Sequence, residues 1–270
     1  MSPEFIDIHA HLQDRQFDSD REGKIVELKR NNIWSIQIGT DNDTSREAVA
    51  LSREYENLFA SIGIHPVDKK DEIFSSELFE GFLGIGKVVA IGECGLDYFY
   101  FKKGELLDTE KERQEKLFTQ QLEFAIAHDL PIMIHCRPAQ ESDEDAHMDM
   151  LAILSKKRHE YGDKLRGNIH FFTSTKEIAR KYFELGFTLS FSGVITFAQE
   201  YDEVVRSVPL EMIMSETDSP YAAPVPFRGK RNEPAYVEEV VRKIAELRNE
   251  DLEVVKKTLV GNAKRVFGLR

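Results

Sequence analysis

The sequence Asp7-Ile8-His9-Ala10-His11 closes the first apolar run of the chain. On an extended strand, residues two apart share a face, so Asp7, His9 and His11 are expected to point inward together, with the histidines at the strand's C-terminal end. Two imidazoles so placed can share a divalent ion; taken alone, they are as readily a hydrogen-bonded pair of loop histidines. Further chemically capable residues close other apolar runs: Gly63-Ile64-His65-Pro66, Gly92-Glu93-Cys94-Gly95-Leu96-Asp97, Ile134-His135-Cys136-Arg137, His170, and Ser215-Glu216-Thr217-Asp218-Ser219-Pro220. Five of the eight histidines (His9, His11, His65, His135 and His170) fall at such ends, whereas His128, His147 and His159 lie in helical or loop segments. Imidazoles and carboxylates crowded into one pocket destabilise it unless they share a cation, and both are good ligands for divalent ions. Glu93 can bridge through its two oxygens, which divides the set into two neighbouring metal sites, the arrangement that clamps attacking and leaving oxygens in phosphoryl transfer. Asp218 is expected to bind metal and to accept a proton from metal-bound water. The alternative for Asp218 is a turn or capping residue before Ser219-Pro220.

These residues meet only if their runs share one sheet. Short β-rich runs recur at Phe5 to Ile8, Ile33 to Ile38, Leu58 to Ile64, Val88 to Ile91, Pro131 to Ile134, Asn168 to Phe171, Phe187 to Phe191 and Met212 to Met214. Between them lie segments of helical spacing, such as Leu117, Gln121/Leu122 and Ala125/Ile126. Eight alternating β and α units predict an α/β fold with a parallel sheet closed as a (β/α)8 TIM barrel, in which catalytic groups gather at the C-terminal ends of the strands. Val237, Val240, Val241, Ile244 and Leu247 predict one further helix, and Leu252, Val255 and Leu259 another, both expected in the barrel's outer layer. No linker or composition shift divides the 270 residues, so residues 1–270 are read as a single domain. The acidic patch Glu141 to Asp145 reads as a solvated loop or helix start.

Hydrophobic residues make up 41% and charged residues 31%, which excludes a disordered chain. No apolar run approaches the roughly 18 residues of a membrane span. The opening, Met1 to Leu12, lacks the basic start and continuous apolar stretch of a secretory signal, so a cytoplasmic location is expected. Cys94 and Cys136 are too few for a disulfide framework and are expected to be reduced. The net charge of −12 argues against a broad basic footprint for duplex nucleic acid. It leaves room for a local anionic substrate, because bound divalent ions and a few cationic side chains reverse the field inside a cleft.

The ordered motifs Asp7-x-His9-x-His11, Gly63-Ile64-His65-Pro66, Ile91 to Tyr98, Ile134 to Arg137, Ser190-Phe191-Ser192-Gly193, Glu216 to Tyr221 and Arg228 to Pro234 resemble those of the TatD family of metal-dependent deoxyribonucleases. The resemblance spans almost the full chain. It implies an amidohydrolase-like TIM barrel, a binuclear site formed by His9, His11, Glu93, His135, His170 and Asp218, and hydrolysis of phosphodiester bonds, usually as a 3′ to 5′ exonuclease on single-stranded or frayed DNA. The chain departs from the family pattern at His170-Phe171-Phe172-Thr173-Ser174, where the family reads His-Cys-Phe-Ser-Gly. It departs again at Pro138, where an acidic residue is usual, and its stretch from Gln140 to Arg166 is longer.

Arg137 and the run Arg228, Lys230 and Arg231 are the candidates for substrate phosphate, since guanidinium groups suit paired phosphate oxygens; a solvated charged loop is the alternative. His65 is assigned to substrate phosphate or to support of the ligands. Tyr98, Phe99, Tyr100 and Phe101 are candidates for stacking on a nucleobase or for a lid on the barrel rim. Two divalent ions, Mg or Mn with Zn also suited to the imidazoles, are the expected cofactors, and a monomer is expected. The competing readings are a small-molecule ester, lactone or amide hydrolase, in which a carboxylated lysine is the common bridge, and a metal-binding scaffold without turnover.

Overall fold

A computed structural model describes residues 2–101, 108–140 and 145–270. Among these, strands β1 (Phe5–Ala10), β2 (Ile33–Ile38), β3 (Leu58–Ile62), β4 (Val88–Asp97), β5 (Ile132–Arg137), β6 (Gly167–Ile169), β7 (Thr188–Phe191) and β8 (Ile213–Ser215) form one sheet in chain order, each neighbouring pair parallel. The two ends meet through a parallel bridge between Ala10 and Ser219, where the His11 N–H donates to the Ser219 carbonyl at 2.8 Å. The sheet is therefore a nearly closed (β/α)8 barrel. Helices α1 (Arg21–Arg30), α2 (Asn42–Glu54), α3 (Ser76–Leu83), α4 (Asp108–Ala127), α5 (Ala146–Tyr161), α6 (Lys176–Glu184), α7 (Asp202–Ser207), α8 (Val237–Arg248) and α9 (Leu252–Phe267) connect and surround it. None is long and apolar enough to cross a membrane, among the described residues.

Several helices begin on a side-chain cap that satisfies an otherwise orphaned N–H. Asp41 and Thr44 form a capping box at α2, and Ser75, Asp145, Thr175 and Asp251 cap α3, α5, α6 and α9. Asp145 is thus a helix start; residues 141–144 of the acidic patch lie outside the described residues.

Both C-terminal helices join the outer layer, α9 by its first half, where Val255 and Leu259 enter the main cluster, and only the second half of α9 departs from it. Val240, Val241 and Ile244 of α8 pack into the main cluster between sheet and helices. Val260, Ala263, Val266 and Phe267 of α9 instead join Ile6, Ile36, Phe59, Ala90, Met133 and Met214, contributed by six strands around the barrel. A cluster drawn from six of the eight strands lies in the barrel interior, and the second half of α9 packs against it near the start of β8, where Asn262 donates to the Leu210 and Ile213 carbonyls at 2.9 and 2.8 Å.

The expected β4 stopped at Ile91, whereas the strand runs on to Asp97. Its continuation depends on Gly92 and Gly95, which have φ of 132° and 153° and pass so close to β5 that a Cβ would lie 2.2 Å from the Met133 carbonyl oxygen and 1.9 Å from that of His135. Only glycine permits both the conformation and the approach. Cys94 and Cys136 are buried free thiols.

Candidate metal centre

Two irregular strand registers aim the central ligands. In β1, Asp7 pairs with Ser35 and Ala10 with Gln37, so three steps of β1 face two of β2. In β4, Ile91 pairs with Ile132 and Cys94 with Ile134, the same excess of one residue. Bulges of this kind re-aim side chains, and His9 and Glu93 lie within them. The alternation expected to set Asp7 beside His9 and His11 is broken by the first bulge. Asp7 instead accepts from the Thr217 N–H at 2.8 Å and the Thr217 hydroxyl at 2.6 Å, tying β1 to the residue before Asp218.

The two oxygens of Glu93 face different partners. Oε2 lies 3.2 Å from His9 Nε2. Oε1 lies 2.8 Å from both His135 Nδ1 and His170 Nε2 and 3.6 Å from His65 Nε2. Asp218 Oδ1 completes the first side, 3.4 Å from His11 Nε2 and 3.8 Å from His9 Nε2. Three overlapping groups have ligand atoms all within 4.8 Å of one another: His9, Glu93 and His170; His9, His11 and Asp218; His65, Glu93 and His135. The structure thus brings together all six residues expected as ligands, and adds His65 to the Oε1 side.

The electrostatics suit a cation. Burial, reinforced by the stacked His170 ring at 3.9 Å, pushes the His9 imidazole down to about 4, so it is neutral at pH 7. Burial alone would favour the neutral acid at Glu93, but the facing His170, His9 and His135 hold it well below the usual carboxylate range. Burial likewise disfavours charge on His170, and Glu93 and Glu216 outweigh it and hold that imidazole well above its ordinary value. Nδ1 of the fully buried His9 has no hydrogen-bond partner among the described residues, and its Nε2 faces the carboxylates of Glu93 at 3.2 Å and Asp218 at 3.8 Å. A neutral imidazole whose inner nitrogen faces two carboxylates fits a divalent ion, which accepts its lone pair.

The centre floors a cleft of about 880 Å³. His65, Phe99, Tyr100 and Arg137 line it together with Phe171 and Thr173 of the divergent segment after His170. Arg137 is stacked on Phe99, its guanidinium carbon 3.4 Å from the ring centroid. Tyr98 is instead buried, with its hydroxyl bonded to Asp149, and Phe101 packs against the core.

The basic run after β8 does not converge on the cleft wall. Arg228 stacks on Phe197 at 3.8 Å and Lys230 is exposed. Arg231 is committed elsewhere: it grips Asp20 with two nitrogens at 2.9 and 2.6 Å, reaches Glu233 at 3.3 Å and lies over Phe17.

Sequence reasoning missed four supports. Asp97 Oδ2 lies 2.9 Å from His135 Nε2, and the buried Glu216 accepts from the Phe171 N–H at 2.6 Å. Gln114 clasps both main-chain groups of Asp97, and Gln121 those of Ile64, just before His65. The signal for the glutamines was present: two uncharged polar residues seven apart on the buried face of α4.

The sequence model of the TatD related DNase family matches residues 6–268. An uncharacterized metal-dependent hydrolase, YabD, of Bacillus subtilis strain 168 is 38% identical over 265 residues, covering 97% of this chain and 98% of the relative. A protein of Cronobacter sakazakii named 3′-5′ ssDNA/RNA exonuclease TatD is 33% identical over 273 residues, covering 97% of each chain. The crystal structure of YjjV, a TatD homologue of Escherichia coli K12, superposes with a TM-score of 0.85 at 28% identity, covering 100% of both chains.

Proposed function

The chain belongs to the TatD-related DNase family of metal-dependent hydrolases, and from that premise we propose that it is a two-metal phosphodiesterase that removes nucleotides from the 3′ end of single-stranded or frayed DNA. The observation that carries this reading is the division of Glu93, one oxygen toward His9 and the other toward His135 and His170. His9, His11, Asp218 and Glu93 Oε2 would hold one ion, and Glu93 Oε1, His135 and His170 the other. When bound, two divalent ions, Mg or Mn in function with Zn also suited, supply an acidified water and positive charge for the attacking and leaving oxygens.

Asp218 accepts the proton of the attacking water. Its side chain is 16% exposed, so it can be reached from the cleft, and its main chain is locked by an N–H donated to the His9 carbonyl at 2.8 Å. Arg137 and His65 hold the substrate phosphates, the guanidinium presented flat by its stack on Phe99. Tyr100, 70% exposed at the cleft, offers a face to an unpaired base. Arg228 and Lys230, outside the cleft wall, meet only strand that extends beyond it. The whole chain acts as one barrel domain, a cytoplasmic monomer. The name of the Cronobacter relative supports the nuclease reading. A Glu bridge rather than a carboxylated lysine speaks against a small-molecule amidohydrolase.

The test is cleavage of 3′-labelled and 5′-labelled single-stranded DNA by metal-stripped protein to which Mg, Mn, Zn or no metal is restored, with Glu93→Ala as control. Stepwise loss from the 3′ end that needs both metal and Glu93 is expected. Metal uptake without cleavage of either substrate would overturn the nuclease reading.

A further inference from the structure

We propose that Asp97 and Glu216, which lie outside the ligand set, are positioning residues for one of the two metal positions only, the one on the Oε1 side of Glu93, and that the two positions are consequently unequal in affinity. The inference rests on the two-metal reading above. Each imidazole of the centre aims one ring nitrogen at the acidic middle and turns the other away, and what meets the far nitrogen differs between the sides. On the Oε1 side, His135 gives Nδ1 to Glu93 and Nε2 to Asp97 Oδ2 at 2.9 Å. His170 gives Nε2 to Glu93 and turns Nδ1 toward Glu216 Oε1 at 3.6 Å, a charge contact beyond hydrogen-bonding length. On the Oε2 side, His11 Nδ1 meets only the neutral Ile38 carbonyl at 3.0 Å, and His9 Nδ1, which like His170 Nδ1 lacks a hydrogen-bond partner, has no carboxylate within ion-pair distance among the described residues.

A carboxylate behind a ligand imidazole fixes the proton on the far nitrogen, leaves the inner lone pair free and makes it a stronger donor. Both carboxylates are built in for that purpose. Asp97 is 2% exposed, its main chain is clasped by Gln114, and its Oδ1 accepts from the Phe99 N–H at 2.9 Å, which leaves Oδ2 for His135. Glu216 is fully buried; Oε2 accepts from the Ser190 hydroxyl at 2.5 Å, and Oε1 accepts from the Phe171 N–H at 2.6 Å. Phe171 has φ of 47°, so Glu216 also holds the left-handed turn that follows His170. Neither carboxylate has a Lys or Arg ion-pair partner among the described residues. Two buried carboxylates without such a partner are costly unless their charge is answered through the imidazoles they face. A dication at Glu93 Oε1 gives that answer.

The experiment titrates Mn²⁺ into the metal-stripped full chain by calorimetry, with bound metal counted after dialysis, for the wild type, Asp97→Asn and Glu216→Gln. Two binding steps are expected in the wild type; each variant weakens one step about 10- to 100-fold and leaves the other unchanged. Long-range ¹⁵N–¹H spectra of the zinc-loaded protein should show the His135 and His170 ring signals moving while those of His9 and His11 stay. Asp97→Asn keeps the side-chain shape, so its result stands even if Glu216→Gln does not fold. Equal weakening of both steps, no weakening of either, or ring shifts spread over all four histidines would overturn the proposal. A wild-type chain that takes up a single ion would overturn the two-metal reading itself, an outcome separate from these.

Discussion

Gln121 holds both main-chain groups of Ile64: its Oε1 accepts from the Ile64 N–H at 2.8 Å and its Nε2 donates to the Ile64 carbonyl at 3.0 Å. Both residues are fully buried, and β3 ends two residues earlier at Ile62, so no strand partner replaces the glutamine. The contact fixes the chain just before His65, linking an outer helix to the rim of the metal centre. Gln121→Ala should strand a buried donor and acceptor and lower stability by about 2–4 kcal/mol. Urea unfolding measures this, and a loss under about 0.5 kcal/mol would show that water or a neighbour satisfies Ile64.

At the chemistry itself, Asp218→Asn and His135→Ala should each lower phosphodiester cleavage at least about 10³-fold, the several kcal/mol of stabilisation that a metal position supplies. Circular dichroism should show the barrel intact, since both side chains face the cleft and not the apolar clusters. Wild-type turnover by either variant would remove that residue from the site.

Arg137 and Arg231 should separate. Arg137 lines the cleft and is stacked on Phe99, whereas Arg231 is bound to Asp20 and Glu233. Arg137→Ala should raise KM for single-stranded DNA about 10-fold with a smaller effect on kcat, as expected for a lost paired contact to phosphate. Arg231→Ala should leave KM unchanged. Steady-state kinetics on one labelled oligonucleotide decide, and a larger KM effect from Arg231 would reverse the assignment.

His147 should contribute acid lability that has nothing to do with metal. It is 1% exposed, its Nδ1 lies 3.0 Å from the Tyr182 hydroxyl and its Nε2 has no hydrogen-bond partner among the described residues. Burial pushes its imidazole from 6.5 down to about 4. The folded state therefore binds fewer protons than the unfolded state between these values. The stability so gained is fully present above pH 6.5 and is lost as pH falls toward 4, about 3 kcal/mol in all. Replacing it with an uncharged residue, His147→Gln, should flatten the pH dependence of unfolding free energy in that window. An unchanged slope would mean that His147 does not titrate there.

The eight strands, their parallel order and the gathering of His9, His11, Glu93, His135, His170 and Asp218 were legible in the sequence, because apolar runs ending in polar residues recur once per βα unit and the barrel sends every such end to one mouth. What the sequence left open depends on register and on partners distant along the chain. The bulges at His9 and Glu93 each shift a strand by one residue against its neighbour, and a pattern of period two carries no mark of such a slip. Asp7 left the ligand face for that reason. Arg231 read as a phosphate contact because its partner Asp20 lies 211 residues away, and only the closed barrel brings the two together. Which groups converge follows from residue type and periodicity, which are local. Which ring nitrogen faces inward, which carboxylate stands behind it and which cations remain available are set by neighbours across the barrel, brought close only when the chain folds.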